Sequence, residues 1–116
     1  MRRGDIYLVD LEPAREGEAD KRRPAVIVSN DAGNAVAARF GRGVVTIVPL
    51  TSNVSRIYPF QVLLPAGRTG LHSDSKAQAE QVRSLSLGRL GDRVGLVPLA
   101  LMRKVDDALR VHLDLI

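Results

Sequence analysis

Lys21-Arg22-Arg23-Pro24-Ala25-Val26-Ile27-Val28-Ser29-Asn30 is the stretch from which the rest of the chain is read. Ala25 to Ser29 is a strongly β-prone run, with two arginines immediately before it. Pro24 marks its first position, where a proline has no ladder bond to lose. The proline also pushes Arg23 into an extended conformation. Arg23 therefore stands where a loop becomes a strand. A guanidinium there is held by a scaffold and can still reach a ligand; the competing reading is an arginine that simply faces water.

Upstream, Gly4 to Leu11 reads as the first strand. Ile6 and Leu8 point one way, and Tyr7, Val9 and Leu11 the other, so both faces are covered. Glu12 to Arg22 has Pro13, Gly17 and many charges but no apolar period, and reads as a long, mobile, solvated loop.

Downstream, Ser29, Asn30 and Asp31 offer N-cap chemistry for a short helix from Ala32 to Phe40, ended by Gly41 and Gly43. Val44 to Val48 is a third strand that stops at Pro49, followed by the polar turn Leu50-Thr51-Ser52-Asn53. Phe60 to Leu64 is a fourth, and Gly67 to Asp74 a loop. In Ser75 to Leu85 small and polar side chains alternate. That pattern suits a strand lining a polar groove, and a solvated helix would also tolerate it. Arg93 to Val97 is a last short strand. Pro98 starts a helix over Leu99 to about Leu115, with Met102, Val105, Leu109, Leu113 and Ile116 as its apolar stripe, either core or partner surface. Its other face sets up i,i+4 pairs: Arg103 with Asp107, Asp106 with Arg110, Arg110 with Asp114.

The expected class is mainly β with helices (α+β), a small β-barrel with helices against it. A chain of 116 residues fits a single domain, residues 1–116. An apolar fraction of 45% excludes a disordered chain. The net charge of +4 and a pI near 10.1 fit a nucleic-acid partner, or merely a genome rich in arginine codons. Tyr7, Phe40, Tyr58 and Phe60 are the only aromatics, so no base-stacking platform is obvious. There is no cysteine, hence no disulfide or thiolate metal site. Asp5 and Asp10 interrupt what might follow Met1-Arg2-Arg3 as a signal core, and no stretch is long enough to span a membrane. The expected location is cytoplasmic.

Glu16, Glu18 and Asp20 lie in a loop, and Asp106 and Asp107 diverge on a helix, so neither is a good metal-ligand set. His72 and His112 each stand alone and read as solvated or packed. What remains is arginine, threonine and serine at strand ends. Arginine stabilises phosphoryl transition-state charge, and a hydroxyl can donate beside it, a minimal set for metal-free phosphodiester cleavage.

Four blocks carry a resemblance: Arg3-Gly4-Asp5-Ile6-Tyr7-Leu8-Val9-Asp10-Leu11, Arg23-Pro24-Ala25-Val26-Ile27-Val28-Ser29-Asn30-Asp31, Val48-Pro49-Leu50-Thr51-Ser52 and Glu80-Gln81-Val82-Arg83-Ser84-Leu85. In order and spacing they resemble the MazF/PemK/Kid toxin family, nearly end to end. The resemblance implies an SH3-like barrel and a homodimer. It implies a metal-independent, sequence-specific endoribonuclease toxin of a type II toxin–antitoxin system, without cofactor. Its substrate would be single-stranded RNA (mRNA, tRNA or rRNA), and its partner an antitoxin with an acidic disordered segment. Arg23 and Thr51 fall on the family's catalytic pair. Arg22, Ser52, Ser75, Gln81 and Arg83 fall on its RNA groove. The rivals are a CcdB-like gyrase poison and a non-catalytic RNA-binding barrel.

Overall fold

The computed structural model describes residues 1–19 and 21–116. Its strands are β1 (Asp5–Asp10), β2 (Arg22–Ile27), β3 (Val44–Thr51), β4 (Gln61–Leu64), β5 (Ser75–Gln78), β6 (Arg83–Ser86) and β7 (Leu90–Leu96). Its helices are α1 (Asp31–Phe40), α2 (Ala66–Thr69) and α3 (Leu99–Leu113). One antiparallel sheet runs β4-β5-β3-β2-β1-β7, with β6 also paired to β3. The α+β class is as expected. The sheet curls like a barrel, but no pairing among the described residues joins β7 back to β4, so it is not closed.

The two-faced reading of β1 holds. Ile6 enters a cluster with Val26, Val48, Leu64 and Val105, while Val9 and Leu11 enter a second with Ile27, Val45 and Leu85. Burying each such aliphatic side chain contributes roughly 1.5–3 kcal/mol relative to leaving it exposed. α3 covers the first cluster through Leu101, Met102, Val105 and Ala108. Its stripe stops short of the expected one, because Leu113 and Ile116 remain in solvent.

Both strand-edge prolines lie inside strands, contrary to expectation, and the ladder explains why. Leu11 N–H donates to Lys21 O, so alternation makes Val9–Arg23 a hydrogen-bonded pair and Leu8–Pro24 a non-bonded one. Val28 N–H donates to Thr46 O, which likewise leaves Pro49 opposite Ala25 at a non-bonded position. The missing N–H of Pro49 faces the gap where β3 changes partner from β6 to β5. Each proline sits where no ladder bond is lost, so neither terminates its strand.

Ser75 to Leu85 is not one strand. β5 ends at Gln78, a 3-10 turn covers Ala79–Gln81, and β6 resumes at Arg83. β5 lies between β3 and β4, so Ser75, Lys76 and Ala77 are buried; the small Ser75 and Ala77 suit an interior strand, and Lys76 is buried with its ammonium hydrogen-bonded. The stretch read as a loop from Gly67 to Asp74 starts inside α2, which runs to Thr69.

α1 begins as expected, with Asn30 Oδ1 accepting from Gly33 N–H at 2.7 Å. The i,i+4 ion pairs on α3 do not form as expected: Arg110 takes Asp107 at 2.7 Å, and Asp106 turns to Arg3. Arg3 is a knot. Its guanidinium also donates to Val28 O at 2.9 Å, and its backbone N–H to Asp31 at 2.6 Å. The N-terminus, the end of β2, α1 and α3 meet at this one residue.

Candidate active site

β3 stops pairing with β2 at Ala25–Pro49, so no ladder bridges residues 22–24 and residues 50–52. That unbridged strip opens into a groove with about 600 Å3 of space. Lys21, Arg22 and Arg23 supply a cationic wall, Thr51, Ser52 and Ser75 a hydroxyl wall, and Leu8, Leu50, Leu71 and Val94 an apolar floor.

Arg23 is positioned by its strand. Its backbone is paired to Val9, its side chain is half-buried, and it makes an interaction of its own within the protein. Alternation sends Arg23 to the face of Val9 and Ala25, and Arg22 to the face of Leu8. Both nonetheless border the groove. Arg22 lies across β1 onto β7: a Cβ on Gly91 would stand 2.7 Å from its Nη2. Thr51 pairs with Lys76 of β5, and its Oγ1 accepts from Asn53 N–H at 3.3 Å. The buried Lys76 is turned away from the groove and donates to Arg56 O at 2.7 Å.

Arg22, Arg23, Thr51, Ser52 and Ser75 are thus brought together, while Gln81 and Arg83 line a neighbouring groove with Glu16, Glu18 and Glu80. The Gln81 amide is engaged at both ends: Oε1 accepts from Ala19 N–H at 3.0 Å, and Nε2 donates to Gly17 O at 3.0 Å. The loop between β1 and β2 therefore docks on Gln81. Its neck is tied by Leu11 and Glu12 to Lys21, where the solvated reading foresaw no contacts. Glu16 and Glu18 are described and exposed; Asp20 lies outside the described residues. Among the described residues no three His, Asp or Glu side chains converge as a metal site would require.

Sequence reasoning missed Lys21, His72 and Ser73, which also line the groove. The signal was present: His72 stands three residues before Ser75, on the loop that leads into a groove strand.

A groove that joins cations to hydroxyls at strand ends has the chemistry to bind a phosphate and to stabilise charge upon it. Residues 2–113 match the family described as PemK-like, MazF-like toxin of type II toxin–antitoxin system. The chain belongs to that family. It is 58% identical over 115 residues to the endoribonuclease MazF9 of Mycobacterium tuberculosis, covering 99% of this chain and 98% of that protein. It is 33% identical to the endoribonuclease EndoA of Bacillus subtilis, covering 100% and 97%. Among solved structures, a mycobacterial endoribonuclease in complex with its cognate antitoxin superposes with a TM-score of 0.76 at 30% identity, over 100% and 97% of the two chains. MazF from Deinococcus radiodurans superposes at 0.82 with 27% identity, over 99% and 97%.

Proposed function

We propose that this toxin cuts RNA at the groove between β2 and β3, with Arg23 and Thr51 as its catalytic pair. Endoribonuclease activity follows from the family and from relatives that carry that activity by name. The same relatives favour a cutting toxin over a gyrase poison or a passive RNA-binding barrel.

The observation that carries the site is that Arg23 and Thr51, from two different strands, border one groove beside further cations and hydroxyls. The 2′-hydroxyl of the substrate attacks its own 3′ phosphate and the 5′ oxygen leaves, giving a 2′,3′-cyclic phosphate and a 5′-hydroxyl. An arginine keeps its proton at any ordinary pH, so Arg23 acts as a fixed cation and donor toward the phosphate, including the leaving oxygen. Thr51 orients the 2′-hydroxyl or the phosphate. Arg22, Ser52 and Ser75 hold the strand nearby, and Gln81 and Arg83 continue the track in the adjacent groove. No metal takes part.

The toxin works in the cytoplasm as one domain and as a homodimer. It is restrained by an antitoxin whose acidic segment folds onto the basic groove, as the basic charge favours. No helix among the described residues is long and apolar enough to cross a membrane. The exposed Val111, Leu113, Leu115 and Ile116 at the end of α3 give the dimer an apolar surface to cover.

The test is cleavage of a single-stranded RNA in excess EDTA, with the new ends identified. Cyclic-phosphate and 5′-hydroxyl ends are expected, together with no cleavage where the nucleotide 5′ to the cut lacks its 2′-hydroxyl. A 5′-phosphate product, or activity only after Mg²⁺ or Mn²⁺ is added, rejects the mechanism.

A further inference from the structure

The groove has a wall that the cleavage chemistry does not use. Gly70, His72 and Ser73 form it, between α2 and β5, on either side of the floor residue Leu71. His72 carries the only aromatic ring among the described residues that line the groove. The other rings are elsewhere: Tyr7 packs on the second core, Phe40 lies on α1, and Tyr58 and Phe60 stack on each other at 5.4 Å.

This wall is anchored at both ends. Gly70 closes α2 in the left-handed region at φ 84°, its N–H donating to Ala66 O at 3.0 Å. Thr69 is buried; its Oγ1 donates to Pro65 O at 3.1 Å and accepts from Leu71 N–H at 3.3 Å. Leu71 packs on the core. Beyond His72, Asp74 accepts from Ala66 N–H at 2.8 Å, and Ser75 donates to Ser73 O at 3.2 Å. His72 itself is exposed. An exposed imidazole is therefore carried by a loop tied at both ends, in a groove that apolar side chains and cations also line.

Single-stranded RNA is read with its bases splayed out and stacked on ring side chains, histidine among them. A cationic wall takes the phosphates, whereas an apolar floor beside a ring takes a flat, weakly hydrated base face. Serine hydroxyls on the rim can both donate to and accept from a base edge. We propose that this wall is a base pocket. One base next to the scissile phosphate stacks on His72, and the pocket sets one position of this toxin's cleavage motif. The inference rests on the groove being the cutting site.

The experiment compares His72→Ala and His72→Phe with the parent in steady-state cleavage of one RNA, and by mapping cut sites in a random-sequence RNA pool. Phe keeps the ring and removes any proton chemistry. His72→Ala is expected to raise KM roughly 5- to 150-fold, the scale of one base–ring stack, with kcat nearly unchanged. It should also relax the preference at one position beside the cut, and His72→Phe should keep both KM and the preference. Loss of kcat in both variants, with the acid limb of the pH–rate profile abolished, would assign His72 to proton transfer and overturn the pocket. An unchanged KM in His72→Ala, or a weakening equal for every RNA sequence, would overturn it too. Arg23→Ala is run on the same RNA. Cleavage undiminished in Arg23→Ala rejects the groove as the cutting site and the pocket with it. The expected large loss in Arg23→Ala beside an unaltered His72→Ala rejects the pocket alone.

Discussion

Arg22 and Arg23 carry the same charge one residue apart, yet the strand gives them different surroundings. Arg23 is half-buried and backbone-paired to Val9, whereas the Arg22 guanidinium is laid over Gly91. Arg23→Ala is expected to lower single-turnover cleavage by about 10²–10³-fold, the effect of losing one preorganised donor to a developing anion. Arg23→Lys should recover little, because a point charge lacks the planar fork. Arg22→Ala should mainly weaken RNA binding and flatten its salt dependence. Equal losses at both positions, each recovered by more enzyme, would mean that the pair binds without catalysing; circular dichroism checks the fold in each case. Arg3 makes a different prediction. Its guanidinium joins Val28 O to the Asp106 carboxylate, so Arg3→Ala should reduce stability by about 1.5–3 kcal/mol, the range for hydrogen bonds to charged groups. The readout is a lower denaturant midpoint at constant slope, and an unmoved midpoint would reject the role. The extended conformation of Arg23 was legible from Pro24, although the strand starts earlier than the proline suggested, at Arg22. The role of Arg3 was not, since three of its partners lie at least 25 residues away.

At the level of elements, Gly95 of β7 is a point of close approach. A Cβ there would stand 2.5 Å from the Thr69 carbonyl oxygen, a backbone atom that cannot swing aside. Gly95→Ala should therefore destabilise the protein by about 1–3 kcal/mol, the usual cost of overpacking. Because Thr69 holds the loop that carries His72, it should also raise KM. A variant as stable as the parent in urea would show that the loop shifts freely. Strands were legible where β-branched residues cluster, as in Val44 to Val48, and α1 was legible from Asn30 and its terminal glycines. The prolines misled, because a ladder position without a hydrogen bond accepts proline and composition does not reveal which positions those are. Ser75 to Leu85 misled as to its continuity and burial, although Ser75, Gln81 and Arg83 do line grooves. Small residues suit a wet groove and a tightly packed interior strand equally well, and only the placement of β5 between β3 and β4 decides between them. Of the groove, the arginines and Thr51 could be found as strand ends, whereas His72 lies on a loop whose close approach to Gly95 of β7 no local pattern reveals.

For the molecule as a whole, the basic charge and the exposed end of α3 give two expectations. Light scattering at micromolar concentration should find a dimer, and a fully active monomer would contradict this. Inhibition by an acidic antitoxin should weaken as salt rises, as expected of a contact made largely by exposed charge. RNA and antitoxin bound together would mean that the groove is left open. The chain's two ends are also interlocked. β1 takes its outer partner from β7, with Asp5 opposite Leu96, and Arg3 is clasped to Asp106. Such long-range contacts form only when both ends are present. During synthesis, most of the polypeptide must leave the ribosome before β1 can be covered, so nascent chains should remain unfolded. A polypeptide ending at Arg89 should accordingly show no cooperative unfolding and no cleavage, and a folded, cutting fragment would sink the idea. A ribonuclease made this way should spare the message still being read to make it until β7 and α3 have emerged.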